Sequence, residues 1–197
     1  MQKTIGDNIY LHESGFFKAA FLFYLGDFTM PLFLPKKRFR RVTDIGYGYL
    51  KKNNIKALIL DVDNTLSTHH SQTPYNGVDK WLREMESKGI KLLILSNSKK
   101  RRVEPFANLL KLDFLSLGCK PLPFGLIRAK HKLGFKAKET AMVGDQVFTD
   151  TIGANLCGIH TILLEPIKYE DGKSFKIRRK LEKRIIAKYE RKHKNER

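Results

Sequence analysis

The chain has 197 residues, 42% of them hydrophobic, with two cysteines and a formal net charge of +18 at pH 7. That length suits one compact domain with appendages, and the apolar content suffices for a core. Cys119 and Cys157 stand at no metal-ligand spacing, which argues against a disulfide framework or a zinc site and reads as reduced thiols. The excess positive charge implies an anionic partner: nucleic acid, a membrane surface or a phosphorylated substrate.

Residues 16–34, FFKAAFLFYLGDFTMPLFL, are rich in Phe and Leu but are interrupted by Lys18, Gly26, Asp27 and Pro31. They fall short of the roughly 20 clean apolar residues that a spanning helix needs. Asp7 and Glu13 with no basic stretch argue against a secretory signal. The expectation is a soluble protein that touches a membrane. A basic lead-in covers 34–54, and its stretch 36–52 holds seven basic residues and one acidic. There KKRFRR, Lys36–Arg41, could grip lipid phosphates while Phe33, Leu34 and Phe39 dip into the interface.

From residue 55 the pattern changes. Short apolar runs predict strands at Ala57–Leu60, Leu92–Leu95, Phe114–Leu117, Thr140–Val143 and Thr161–Leu164. Between them Trp81, Leu82 and Met85, then Val103, Phe106 and Leu110, then Leu126, Ile127 and Leu133 repeat at helical spacing. Strands alternating with helices read as βαβ units in a parallel sheet, an α/β fold. The last segment, 168–197, carries thirteen basic and five acidic residues, and Ile177, Leu181, Ile185 and Tyr189 form one helical stripe. That is the pattern of a basic amphipathic helix on an anionic membrane, or of a helix docking its stripe on the core.

In such sheets the chemistry sits beyond the carboxyl ends of the strands. The first strand ends in Asp61-Val62-Asp63-Asn64-Thr65, the second in Ser96-Asn97-Ser98, and the third is followed by Lys120-Pro121. The fourth ends in Gly144-Asp145-Gln146, with Thr149 and Asp150 just beyond. Asp61 and Asp63, two apart on extended chain, share a side, and paired carboxylates need a cation such as Mg²⁺. Each signal also has a bland reading. An Asx-turn ends a strand, Ser96 or Asp150 caps a helix, Pro121 opens a first turn, and Gly144-Asp145 makes a plain turn. Four polar strand ends on one rim are stronger together than singly. His69 and His70, adjacent and pointing apart, read as a plain exposed loop.

Taken in order, DVDNTL (Asp61–Leu66), LSNS (Leu95–Ser98), KP (Lys120-Pro121) and GDQVFTD (Gly144–Asp150) resemble the four motifs of the haloacid dehalogenase (HAD) superfamily. The closer resemblance is to its subclass IIIA, which includes bacterial YqeG-like proteins and mitochondrial phosphatidylglycerophosphatases. It runs from about Leu34 to Ile167, with a basic tail of similar kind. One departure is Ser98, where many relatives have Asn. The resemblance implies a HAD-like Rossmannoid three-layer sandwich and an aspartyl-phosphate mechanism. Asp61 would be the nucleophile and Asp63 the general acid and base. Mg²⁺ would be held by Asp61, the Asp63 carbonyl and Asp145. Ser96, Asn97 and Lys120 would meet the phosphate, while Asn64, Gln146, Thr149 and Asp150 support the site. The expected organisation is an N-terminal extension at 1–33, with Met30 a candidate true start, the lead-in at 34–54, the phosphatase domain at 55–167, and the tail at 168–197.

Only about 33 residues separate Asp63 from Ser96 and about 24 separate Ser96 from Lys120, each span filled by one helix and one strand. No room remains for a cap domain, so the expected site is open to solvent and suits a phosphate presented by something large. Phosphatidylglycerophosphate is the expected substrate, and the expected location is cytoplasmic, peripheral at the inner face of the membrane. An RNA- or ribosome-associated protein with a secondary phosphatase site is the rival reading, with Phe39, Tyr47 and Tyr49 interleaved among basic residues.

Overall fold

A computed structural model of the chain describes residues 30–69, 71–169 and 173–194. The chain divides into two units, residues 1–32 and 33–197. Of the first, only residues 30–32 are described, and they open a helical turn, Met30–Phe33. The expectations for residues 1–29, including the start at Met30 and most of the apolar run, lie outside the described residues, as does His70. No described helix is long and apolar enough to cross a membrane.

The second unit is built on six parallel strands. They are β1 (Lys37–Phe39), β2 (Ala57–Leu60), β3 (Lys91–Leu95), β4 (Phe114–Leu115), β5 (Thr140–Gly144) and β6 (His160–Leu164). Their order in the sheet is β1-β6-β5-β2-β3-β4. The helices are α1 (Tyr47–Lys52), α2 (Val78–Ser87), α3 (Lys100–Leu110), α4 (Pro123–Leu133), α5 (Ile152–Leu156) and α6 (Lys173–Lys194).

Strand alternation sorts the core into two faces. Leu58, Leu60, Leu92 and Ile94 pack with Trp81, Met85, Val103 and Phe106 of α2 and α3. Ile59, Leu93, Leu95 and Met142 pack with Leu126 and Ala129 of α4 and Ala154 of α5. The result is the expected three-layer sandwich. Among the described residues, the one long helix between Asp63 and Ser96 is α2 and that between Ser96 and Lys120 is α3, and neither span carries a cap there.

Three sequence expectations change. The lead-in is built into the domain: Lys37–Phe39 is an edge strand on β6, and Val42, Ile45 and Leu50 are fully buried, while Lys36, Lys37 and Arg40 stay exposed. Trp81 Nε1 donates to Ile45 O at 2.8 Å, tying this segment to α2. Phe33 is buried with its ring 6.1 Å from Phe148, and the half-buried Phe39 stacks edge-on against Tyr49 at 5.2 Å. Arg38 pairs with Glu190. The third predicted strand stops at Leu115, because Leu117 takes φ 51° and gives its N–H to Ser98 O at 3.0 Å. The tail is helical as expected, but only Ile185 and Tyr189 of the stripe are buried, while Ile177 is 63% exposed. Arg178, Arg179 and Glu182 are buried too, so this helix docks partly through its charged face and does not offer a uniformly solvated basic one.

Candidate active site

Asp61 follows β2 directly, and its N–H still donates to Val143 O at 2.9 Å, which holds it at the rim of the sheet. Its Oδ1 lies 2.7 Å from Lys120 Nζ. The same ammonium sits 2.7 Å from Asp150 Oδ1 and donates to Leu95 O at 3.1 Å. Lys120 is therefore a buried cation shared by two carboxylates, and their attraction overcomes the cost of burial to raise its pKa above that of an ordinary lysine.

Asp61, Asp145 and Asp150 are all buried, and one ligand oxygen from each lies within 4.8 Å of the others. Burial pushes the Asp61 carboxyl up from 3.8 to about 7 against the opposing pull of Lys120, with Asp150 and Asp63 adding to the rise. Burial likewise raises Asp145 well above the usual carboxylate range, although Arg179 pulls it down. In both, burial is the leading cause, and the neighbouring carboxylates add to it. Asp145 Oδ1 is buried and has no hydrogen-bond partner among the described residues. An all-oxygen set of this kind suits a hard divalent cation.

The remaining residues singled out from sequence fall around this cluster. Ser96 is buried at the end of β3, its Oγ accepting Ser98 N–H at 3.1 Å. The exposed Asn97 bonds to the backbone of Lys120. Asn64 takes φ 57°, a left-handed conformation that Asn tolerates, and its Oδ1 accepts Lys168 N–H at 3.0 Å. Gln146 N donates to Asp150 Oδ2 at 3.2 Å, and the Thr149 hydroxyl lies 3.5 Å from Gln146 Oε1. Residues Val147–Thr151 form a π-helical turn, a distortion frequent at functional sites, which brings Asp150 back beneath Asp145.

Asp63 points its carboxylate elsewhere. It pairs with Arg102 of α3, and its Oδ1 lies 3.6 Å from His69 Nδ1. His69 is thus a half-buried neighbour of the first motif, which corrects the expectation of a plain exposed loop. Sequence reasoning also passed over Arg102, Arg178, Arg179 and Glu182. Arg102 follows Lys99-Lys100-Arg101 and nothing in the sequence separates it from them. Glu182 did leave a signal: one of two acids on a strongly basic helix, three residues after Arg179, the spacing of facing side chains.

A family model described as haloacid dehalogenase-like hydrolase matches residues 67–158. The probable phosphatase YqeG of Bacillus subtilis is 34% identical over 160 residues, 81% of this chain and 93% of that protein. The chain belongs to the HAD hydrolases, among the YqeG-like proteins. Two solved structures share the fold. One is a HAD family hydrolase from Deinococcus radiodurans with bound phosphate and sodium, at TM-score 0.52 and 15% identity over 68% of this chain and 89% of that one. The other, an uncharacterized protein from Listeria monocytogenes, has TM-score 0.50 and 21% identity over 60% of this chain and 85% of that one. In this HAD chain the motif residues fall at the ends of β2, β3 and β5 and in the loop after β4, the rim where doubly wound folds bind ligands.

Proposed function

We propose that the protein is a Mg²⁺-dependent phosphomonoesterase working through an aspartyl-phosphate, with phosphatidylglycerophosphate as substrate. The observation that carries the reaction is the buried Asp61–Lys120–Asp150 arrangement beside Asp145, a nucleophile and a phosphate-binding cation at one rim. Asp61, Asp145 and Asp150 have the donor chemistry to hold Mg²⁺, and the free Oδ1 of Asp145 fits that assignment. When bound, the ion supplies positive charge that lets an anionic nucleophile approach an anionic phosphate.

In this reading Asp61 attacks phosphorus, and the bond from phosphorus to the leaving alkoxide breaks. Asp63 gives that alkoxide its proton, then takes one from the water that attacks the aspartyl-phosphate, which releases inorganic phosphate and restores Asp61. Lys120 Nζ and the Ser96 hydroxyl hold phosphoryl oxygens, and Lys120 also offsets charge on Asp61. Asn97 holds the Lys120 loop, and Asn64 holds the first motif.

Support for a lipid comes from the spans without a cap, which admit a phosphate presented at a surface, and from the strongly basic composition. The test is phosphate release from phosphatidylglycerophosphate in mixed bilayers, with and without Mg²⁺, beside a panel of soluble phosphomonoesters, with Asp61→Asn as blank. Strong preference for the lipid, lost in the variant, is the expected result. Slow, indiscriminate turnover keeps the phosphatase and removes the lipid. Binding to RNA that Asp61→Asn leaves intact, without turnover, overturns the reading.

A further inference from the structure

The two carboxylate oxygens of Asp145 have different surroundings. Oδ2 pairs with the Arg179 guanidinium, while Oδ1 is buried with no hydrogen-bond partner among the described residues. Arg179 Nη1 also donates to the carbonyl of Asp145 at 2.9 Å and to Glu182 Oε2 at 2.8 Å. Glu182 Oε1 accepts the N–H of Val147 at 2.8 Å, and Arg178 Nη1 donates to Gln146 Oε1 at 2.9 Å. About one turn of α6 therefore grips three consecutive residues, Asp145, Gln146 and Val147. That helix lies beyond the 67–158 stretch matched by the family model.

We infer that Arg179 is a positioning residue for the metal site: it holds Asp145 through Oδ2 and the main-chain carbonyl, which leaves Oδ1 as the oxygen that would be offered to a cation. This rests on the reading of Asp145 as a metal ligand. A free carboxylate rotates and can turn either oxygen, or both, toward an ion, and a guanidinium fork removes that freedom. Partners that orient ligands in this way commonly govern metal affinity by tenfold to a hundredfold. A guanidinium so close to a cation site could instead compete with the ion. Glu182 argues against competition, because its buried carboxylate shares the Arg179 charge and reduces the repulsion an incoming cation would meet. Glu182 thus keeps Arg179 in place as an anchor.

Calorimetric titration of Mg²⁺ into the full-length protein, without substrate, tests this. Arg179→Gln is expected to weaken Mg²⁺ binding about tenfold or more, with Arg179→Lys recovering part of the loss. In phosphate release, the Mg²⁺ concentration for half-maximal rate should rise by a similar factor, while the rate at saturating Mg²⁺ changes less. Should Arg179→Gln fail to fold, Glu182→Gln loosens the same frame with a neutral isostere and should weaken Mg²⁺ binding in the same direction. Unchanged affinity in the variants overturns the inference alone. Tighter binding overturns it by showing that the guanidinium competes with the cation. A wild-type protein that binds no Mg²⁺ overturns both the inference and the metal-dependent reading beneath it.

Discussion

Asn97 and Lys120 are bonded to each other in both directions across two loops. Asn97 Nδ2 donates to Lys120 O at 2.9 Å, and Lys120 N donates to Asn97 Oδ1 at 2.7 Å. The amide thus replaces a missing strand neighbour for the backbone that presents Nζ to Asp61. Asn97→Ala removes both bonds and is expected to cost about 1–3 kcal/mol of stability. Because Lys120 would be displaced, kcat should fall about tenfold to a hundredfold. Thermal unfolding and steady-state kinetics check this. A rise in KM with unchanged kcat and Tm would instead make Asn97 a substrate contact.

Gly144 closes β5 against Asp150. A Cβ at this position would collide with the Asp150 carboxylate, which lies well inside contact distance. Gly144→Ala must therefore push Asp150 away from Lys120 or distort the strand end. The expected loss is about 1–3 kcal/mol, the usual range for overpacking, together with most of the activity. Denaturant unfolding in parallel with phosphate release distinguishes the two effects. Wild-type activity in this variant would show that Asp150 is dispensable to the site.

Burial gives the metal-free protein a pH signature. The Asp61 carboxyl moves from 3.8 to about 7 on folding. Between those values the folded chain keeps a proton that the unfolded chain has lost, so stability falls as pH rises through the window. Asp145 is raised as well and acts with the same sign. The difference in Tm between wild type and Asp61→Asn, measured without metal, should therefore decline steadily from pH 4 to pH 7. Mg²⁺ should raise the wild-type Tm at neutral pH, since only the folded state gathers the three carboxylates. A flat difference across the window would mean that Asp61 is already compensated by Lys120.

The sheet and the motif residues were legible in the sequence because they follow local rules. Ala57–Leu60 is an unbroken apolar run of strand length, and the polar residues that follow it must lie at the carboxyl end of a buried strand. What was not legible depended on distant packing. KRF at 37–39 has no apolar run, and it becomes a strand only because the β6 edge is open beside it. The tail stripe predicted a helix but not its rotation. Ile177 faces outward because Arg178, Arg179 and Glu182 find partners at residues 145–147, polar contacts that an apolar periodicity cannot register. The sequence marks Asp63 as a candidate, yet its partners Arg102 and His69 are 39 and 6 residues away by number, and no local pattern links either to it.

Arg102 offers the sharpest check on Asp63. It pairs with the carboxylate from the first turn of α3, and His69 stands 3.6 Å away on the same oxygen. If Asp63 protonates the leaving alkoxide, Arg102 holds that acid in place, and loss of the pair matters most when the leaving group is a poor one. Arg102→Gln should slow hydrolysis of an alkyl phosphate about a hundredfold, within the range of general acid catalysis. With 4-nitrophenyl phosphate, whose phenolate departs with little help, the loss should be about tenfold smaller. Equal losses on both substrates would show that Arg102 acts by binding phosphate or by holding the fold, and would leave Asp63 without its positioning partner.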